Sequence, residues 1–183
     1  MKRKAVFLDQ DGTVIRGIAN RPGAQFEGKV TAPFTMEELK FEPRLGEAME
    51  LLRDADFLRI IITNKPNVAA GHLSSGMWSK IHKEVMSRVD PDDYWMCTHP
   101  RWENCPWTKP SPLMIQAAAH KWDVDLEQSF MIGDTHYDVG AGKAASCKTI
   151  LLSRPYNGNI SILPDYIMPD LVSAAHMIAA KMH

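Results

Sequence analysis

An α/β fold, with a parallel sheet covered by helices on both faces, is predicted by three observations. Five short apolar runs alternate with longer segments of helical period. The runs are continuous rather than alternating, as in strands buried on both faces. The polar residues able to do chemistry cluster just past the ends of these runs, where open parallel sheets place their ligands.

Ala5–Leu8 (AVFL) predicts the first strand. Arg16–Glu42 follows, with Pro22, Gly23, Gly28 and Pro33 and no clear period, and reads as a long flap-like loop. Pro43–Asp54 places Leu45, Ala48, Met49, Leu51 and Leu52 at helical spacing, and Leu58–Ile62 (LRIII) is the next strand. Ser74–Val89 is helical through Met77, Trp78, Ile81, Val85 and Met86; Tyr94–Cys97 (YWMC) is a third strand. A second long loop covers about 97–109. Pro112–Trp122 carries its Pro early, where a helix tolerates it. Ser129–Ile132, a short Gly-bearing helix over His136–Ala145, Thr149–Leu152 and a closing helix over Leu171–Met182 complete the pattern. Trp95, Cys147 and the methionines Met77, Met86 and Met114 read as core. The whole chain, 1–183, is expected to be one open, Rossmann-like domain with no large cap domain.

Lys and Arg total 21 against 22 Asp and Glu, a net charge of -1, so the basic stripe of a nucleic-acid binder is not expected. No apolar run approaches the roughly 20 residues of a membrane span. The start, MKRKAVFLD, has too short an apolar region for a signal peptide, and a cytoplasmic protein is expected. Three cysteines are too few for a disulfide framework.

The strand ends carry the functional argument. After the first come Asp9, Asp11, Gly12 and Thr13; after the second, Thr63, Asn64 and Lys65; after the third and its loop, Lys109 and Pro110; after the fourth, Gly133, Asp134, Thr135 and Asp138. Taken singly these are bland. Asp-x-Asp-Gly is usually a turn, and Gly-Asp-Thr can be a helix cap. Together, in this order, they deliver three or four carboxylates, one Lys and small polar groups to one edge. Converging carboxylates raise each other's pKa, and a hard divalent cation such as Mg²⁺ relieves this. A cation beside a Lys makes a site for a phosphate dianion. One carboxylate can attack it to form an aspartyl-phosphate, and another can protonate the leaving group and then activate water. Gly12 lets the backbone approach without a Cβ, and Thr63 and Asn64 can donate to phosphate oxygens.

With those residues named, the chain resembles the haloacid dehalogenase superfamily of phosphohydrolases. DQDGTV (Asp9–Val14) matches its first motif, ITN (Ile62–Asn64) the second, Lys109 the third and GDTHYD (Gly133–Asp138) the fourth. Within it, FEPRLGEAMELLRDADF, IIITNKPNVAAGHLS, CTHP and CPWTKPSPLM are similar to stretches of the heptose bisphosphate and histidinol phosphate phosphatases. The resemblance implies that Asp9 is the nucleophile and Asp11 the general acid/base. It implies Mg²⁺ on Asp9, Asp134 and the backbone carbonyl of Asp11, and phosphate on Thr63 and Lys109. Asp138 would stand behind them, orienting Asp134, Lys109 or a metal-bound water. The chain departs from the group where arginines are usual: Thr108 precedes Lys109, Ala70 lies in the loop after the second strand, and Gln10 follows Asp9. Those departures weigh against a second phosphate on the substrate.

That group also carries a zinc site patterned C-x-H … C-x-C. Here Cys97, His99 and Cys105 offer three ligands, and Trp107 stands at the fourth place. Structural zinc takes four protein ligands, so the Zn²⁺ site is expected to be open or empty, with Trp102 and Trp107 available to fill vacated space. His136 is expected at a helix start facing solvent. Arg16, Arg21, Lys29 and Arg101 are the loop charges that can meet an anionic substrate, though solvation is the default for each. The expectation is a Mg²⁺-dependent phosphomonoesterase acting on a small phosphorylated metabolite of the sugar phosphate or histidinol phosphate type. The alternatives are a nucleic-acid end phosphatase, like the phosphatase domain of polynucleotide kinases, and a catalytically silent binding protein of the same fold. Neither oligomeric state nor pathway is legible.

Overall fold

Strand β1 (Lys4–Leu8) is central in the sheet because it pairs in parallel on both sides, with β4 (Phe57–Asn64) and with β6 (Phe130–Gly133). The structure is a computed structural model that describes residues 2–19, 30–158 and 161–181. Six parallel strands run in the order β5-β4-β1-β6-β7-β8, where β5 is Asp93–Cys97, β7 Lys148–Leu152 and β8 Tyr166–Met168. Every pairing is parallel. The chain builds outward from β1 through β4 to β5, then returns to the other side of β1. The crevice at such a reversal, at the carboxyl ends of the strands, is where these sheets bind ligands.

Period-two geometry gives each strand two apolar faces. Val6, Leu8, Ile61, Ile132 and Ile150 pack on one side with α1 (Leu45–Asp54), α3 (Ser75–Val89) and α6 (Leu171–Ala180). Ala5, Phe7, Ile60, Ile62 and Met131 pack on the other with α4 (Leu113–Trp122) and α5 (His136–Ala144). Burial on both faces is why the strands read as unbroken apolar runs. Ser74 caps α3 by accepting from the Met77 N–H, and Asp170 caps α6 by accepting from Ser173 N–H.

All five expected strands and five expected helices are present, with ends shifted by one or two residues. The helix expected from Pro43 begins at Leu45, because Arg44 takes a left-handed backbone (φ 56). Among the described residues five short elements are additional, one of them a 3-10 turn over Arg101–Glu103. β8 is a three-residue edge strand whose Ile167 is exposed, so no buried run announces it. A four-residue helix, α2 (Pro66–Ala69), follows β4. The 16–42 stretch holds a short antiparallel ribbon of β2 (Ile18–Ala19) and β3 (Val30–Thr31). Arg21 and Lys29 lie outside the described residues, as does the Arg101 side chain. Trp95, Met77 and Met86 are half-buried rather than core, whereas Met114 and Cys147 are buried as expected. Among the described residues no helix is long and apolar enough to cross a membrane.

Candidate active site

The first strand end is built around one carbonyl. The N–H groups of Thr13, Val14 and Ile15 all donate to Gln10 O, which curls the chain back beside β1. Gly12 sits inside this curl with φ 93, and a Cβ there would lie 2.0 Å from Asp134 Oδ2. Only glycine lets the two strand ends approach so closely. Asp9 emerges with its N–H bonded to Ile132 O (2.9 Å), which ties the exit of β1 to β6.

At the fourth strand end, Thr135 caps α5 in a capping box. Asp138 Oδ2 accepts from Thr135 N–H (3.0 Å) and from its hydroxyl (2.6 Å). The expected cap is therefore real, and the same carboxylate has a further use: Asp138 Oδ1 accepts from Lys109 Nζ at 2.6 Å. Lys109 also donates to Asp9 Oδ1 (2.6 Å) and to the carbonyl of Ile62 (2.9 Å), which commits all three of its protons. Its peptide is clasped by Asn64, whose Oδ1 accepts from Lys109 N–H while its Nδ2 donates to Lys109 O. The Lys109–Pro110 peptide is cis.

Asp9, Asp11, Asn64, Lys109, Asp134 and Asp138 line one cavity of about 150 Å³. Thr31 of the ribbon and Ala32 just past it, His99 and Thr108 of the second loop, and Tyr137 also line it, with Pro66, Asn67 and Thr135. Thr63 is fully buried with its hydroxyl unpartnered. The Gly12 N–H is donated to Ile15 O, whereas the Asn64 amide spends one of its two N–H groups on Lys109 O. Asn64 thus clasps the peptide of the lysine at the phosphate site, and it lines the cavity itself.

Burial dominates the electrostatics. It pushes the Asp9 carboxyl up to about 7, against the lowering pull of Lys109, with Asp138 and Asp11 adding to the rise. Burial, then Asp9 and Asp138, raise Asp134 well above the carboxylate range, and the Tyr156 hydroxyl only partly opposes them. Lys109 goes the other way. Burial alone would discharge it, but Asp138 and Asp9 outweigh that and hold it cationic. Oxygens of Asp9, Asp134 and Asp138 lie within 4.8 Å of one another, and Asp134 Oδ1 is buried with no hydrogen-bond partner. A bare carboxylate oxygen among like charges is a fitting ligand for a hard cation, so these residues suit Mg²⁺. Asp138 has both oxygens occupied, consistent with a supporting place behind Asp9 and Asp134.

Sequence reading missed the fifth strand end. The segment after β7 places Tyr156 against Asp134 Oδ2 (2.7 Å) and Asn157 Nδ2 against Asp134 O (2.7 Å). Arg154 donates twice to Gly12 O and pairs with buried Glu42 at 2.9 Å. The signal was available, since SRPYN follows an apolar run just as DQDG does. Lys65, next to Asn64 in the chain, is buried against Asp11. Gln10, where an arginine is usual, is fully buried and accepts from the Tyr94 hydroxyl (2.9 Å).

Cys97, His99 and Cys105 do converge. Cys97 Sγ lies 3.5 Å from His99 Nδ1, 3.8 Å from Cys105 Sγ and 3.1 Å from Thr108 Oγ1. The tryptophans do not fill this space. Trp102 is 75% exposed, and Trp107 stacks on Trp95 at 6.2 Å. His136 is exposed at its helix start, as expected.

This is the fold of haloacid dehalogenase-like hydrolases. A family model described as HAD-hydrolase-like matches residues 106–174. The crystal structure of D,D-heptose 1,7-bisphosphate phosphatase from B. bronchiseptica, complexed with magnesium and phosphate, superposes with a TM-score of 0.80 at 23% identity, covering 97% of this chain and 99% of that one. The D-glycero-beta-D-manno-heptose-1,7-bisphosphate 7-phosphatase of Rhodopseudomonas palustris is 31% identical over 156 residues, 79% of this chain and 80% of that protein. The enzyme of the same name from Helicobacter pylori (strain 26695) is 31% identical over 157 residues, 81% and 83% of the two chains. The chain belongs to the haloacid dehalogenase superfamily, in the family of the heptose bisphosphate phosphatases, and is a phosphatase.

Proposed function

We propose that the protein is a Mg²⁺-dependent phosphomonoesterase acting on a small phosphorylated sugar through an aspartyl-phosphate. Support for the substrate class comes from the relatives named for heptose bisphosphate. The observation that carries the mechanism is the buried cluster of Asp9, Asp134 and Asp138 around Lys109, with one Asp134 oxygen bare. Asp9, Asp134 and the Asp11 carbonyl would hold Mg²⁺, which when bound neutralises carboxylate charge and polarises the phosphoryl oxygens. Lys109, its protons held by Asp9, Asp138 and Ile62 O, lends positive charge to the phosphate, and the unpartnered Thr63 hydroxyl can donate to it. An Asp9 carboxylate oxygen bonds to phosphorus as the P–O bond to the sugar breaks, and Asp11 gives the leaving oxygen its proton. Asp11 then takes a proton from water, which attacks the aspartyl-phosphate and releases inorganic phosphate and free Asp9. Asp138 fixes the Lys109 ammonium between itself and Asp9. The chain acts as one domain, 1–183, with cover from the 16–42 and 97–109 loops, which already contribute Thr31, Ala32, His99 and Thr108 to the wall.

The test is phosphate release from heptose 1,7-bisphosphate, a hexose 6-phosphate, histidinol phosphate and a 3′-phosphorylated oligonucleotide, with and without Mg²⁺. A sugar phosphate is expected to turn over fastest, only with Mg²⁺, and Asp9→Asn to abolish it. No turnover of any ester would leave a silent binding protein. Preference for the oligonucleotide would make it a nucleic-acid end phosphatase.

A further inference from the structure

Lys65 is a buried ammonium to which the mechanism above gives no task. It is only 2% exposed, on the residue that follows β4, and its backbone N–H is pinned to Cys97 O at 2.7 Å. Its Nζ bonds to Asp11 Oδ2 and lies 5.7 Å from the centroid of the Trp78 ring, which gives the cation a second favourable contact. Asp11 lines the active-site cavity, whereas Lys65 does not. The ammonium therefore reaches the carboxylate from behind the wall. Asp11 Oδ1, by contrast, is buried with no hydrogen-bond partner. The two oxygens of this carboxylate are thus inequivalent: one is anchored and one is bare. Asp134 repeats the pattern, with Tyr156 on Oδ2 and nothing on Oδ1.

We propose that Lys65 is the positioning residue for Asp11, fixing one oxygen so that the other carries the proton to and from the ester oxygen. This rests on the role assigned to Asp11 above. A surface Asp samples several side-chain rotamers. A proton donor must sit within hydrogen-bond reach of the leaving oxygen at the moment the bond breaks. The buried ammonium removes the freedom of Asp11 before substrate arrives. It makes no contact with substrate itself.

Such a role has a signature that a merely structural role lacks. An alkyl ester needs its leaving oxygen protonated, and an aryl ester with a stabilised phenolate does not. The quantity to read is kcat/KM, which reports steps up to loss of the alcohol and excludes hydrolysis of the aspartyl-phosphate. Lys65→Met and Lys65→Gln are compared with the parent, using heptose 1,7-bisphosphate as alkyl ester and p-nitrophenyl phosphate as aryl ester, with Mg²⁺. Lys65→Gln keeps a donor but is too short to hold Asp11, and it remains informative if the methionine variant does not fold. Both are expected to lower the alkyl-to-aryl ratio of kcat/KM about 10- to 100-fold, a part of the roughly 100- to 10,000-fold that a general acid supplies, and to change the aryl value less than about threefold. An equal loss on both esters, or no loss, overturns the proposal. Asp11→Asn separates the two levels of the argument. If it lowers the ratio and the Lys65 variants do not, the positioning role alone fails. If it leaves the ratio unchanged, the assignment of Asp11 as acid fails.

Discussion

Replacing Gly12 by alanine tests how tightly the two acidic strand ends are joined. The added Cβ would lie 2.0 Å from Asp134 Oδ2 and 2.4 Å from its Cγ. Non-bonded atoms settle near 3.5 Å, so the carboxylate must retreat by about 1.5 Å. It is poorly placed to do so, being buried and held by Tyr156, while Asn157 holds the backbone carbonyl of the same residue. A misplacement of about 1 Å at a reacting centre costs about 100-fold in rate, so kcat/KM for heptose 1,7-bisphosphate should fall at least that far. Calorimetric Mg²⁺ affinity should fall with it. Backbone strain confounds the comparison, since φ at Gly12 is 93 and alanine pays about 1–2 kcal/mol in left-handed conformations. Gly71 supplies the control. Its φ is 73, with nothing within 4 Å of its would-be Cβ. Gly71→Ala should lose similar conformational stability, about 1 kcal/mol in chemical denaturation, and keep kcat/KM and Mg²⁺ affinity within about twofold. Comparable catalytic losses in both variants, or a Gly12→Ala enzyme within about threefold of the parent, would refute the claim that Asp134 is fixed against the first strand end.

Tyr156→Phe removes the hydrogen bond on Asp134 Oδ2 and leaves the ring. Mg²⁺ affinity measured by calorimetry should drop about 10- to 100-fold, the usual effect of losing a group that orients a metal ligand, and unchanged affinity would mean that the tyrosine only packs. Stability should depend on pH through Asp9, whose carboxyl rises from 3.8 to about 7 on folding. Between those values the folded state holds a proton that the unfolded state has released, so the Asp9 contribution to stability falls as pH rises from about 4 to about 7. Asp134 shifts in the same direction. A cation replacing those protons reverses the loss, so the Mg²⁺-induced rise in Tm should be larger at pH 8 than at pH 5; equal rises at both would contradict it.

Most of this fold could be read in the chain because the strands are buried on both faces. AVFL and RIII have no alternative as solvent-facing elements, and their ends necessarily lie together at one sheet edge. The acidic motifs were visible for the same reason, each standing immediately after such a run. What escaped was set by tertiary geometry. The edge strand β8 (YIM) is only three residues long and half-exposed, too short a run to register, and α2 is a single turn opened by Pro66. Asn64 reads in sequence as a donor to substrate, and only the fold shows that it also clasps the Lys109 peptide. Lys65 and Arg154 are ordinary in sequence, because one lysine next to Thr-Asn and one arginine before Pro carry no period and no motif. Their partners, Asp11 and the Gly12 carbonyl, are 54 and 142 positions away.

The pairing of these charges also bears on where a cation would go. Four carboxylates, Asp9, Asp11, Asp134 and Asp138, face two ammoniums, Lys65 and Lys109. Lys65 serves Asp11 alone, while Lys109 is shared between Asp9 and Asp138. The Asp134 carboxylate has a phenol for a partner and no ion pair among the described residues. The surplus of negative charge therefore falls on Asp9, Asp134 and Asp138, not on the Asp11 side chain. Burial makes that surplus expensive, and the site can meet it with protons or with a divalent ion. Protons on Asp9 would quench a nucleophile, whereas a cation on the bare Asp134 oxygen leaves Asp9 ionised. On this arithmetic a cation and the proposed nucleophile, Asp9, depend on each other, while Asp11, the proposed acid/base, has a lysine of its own.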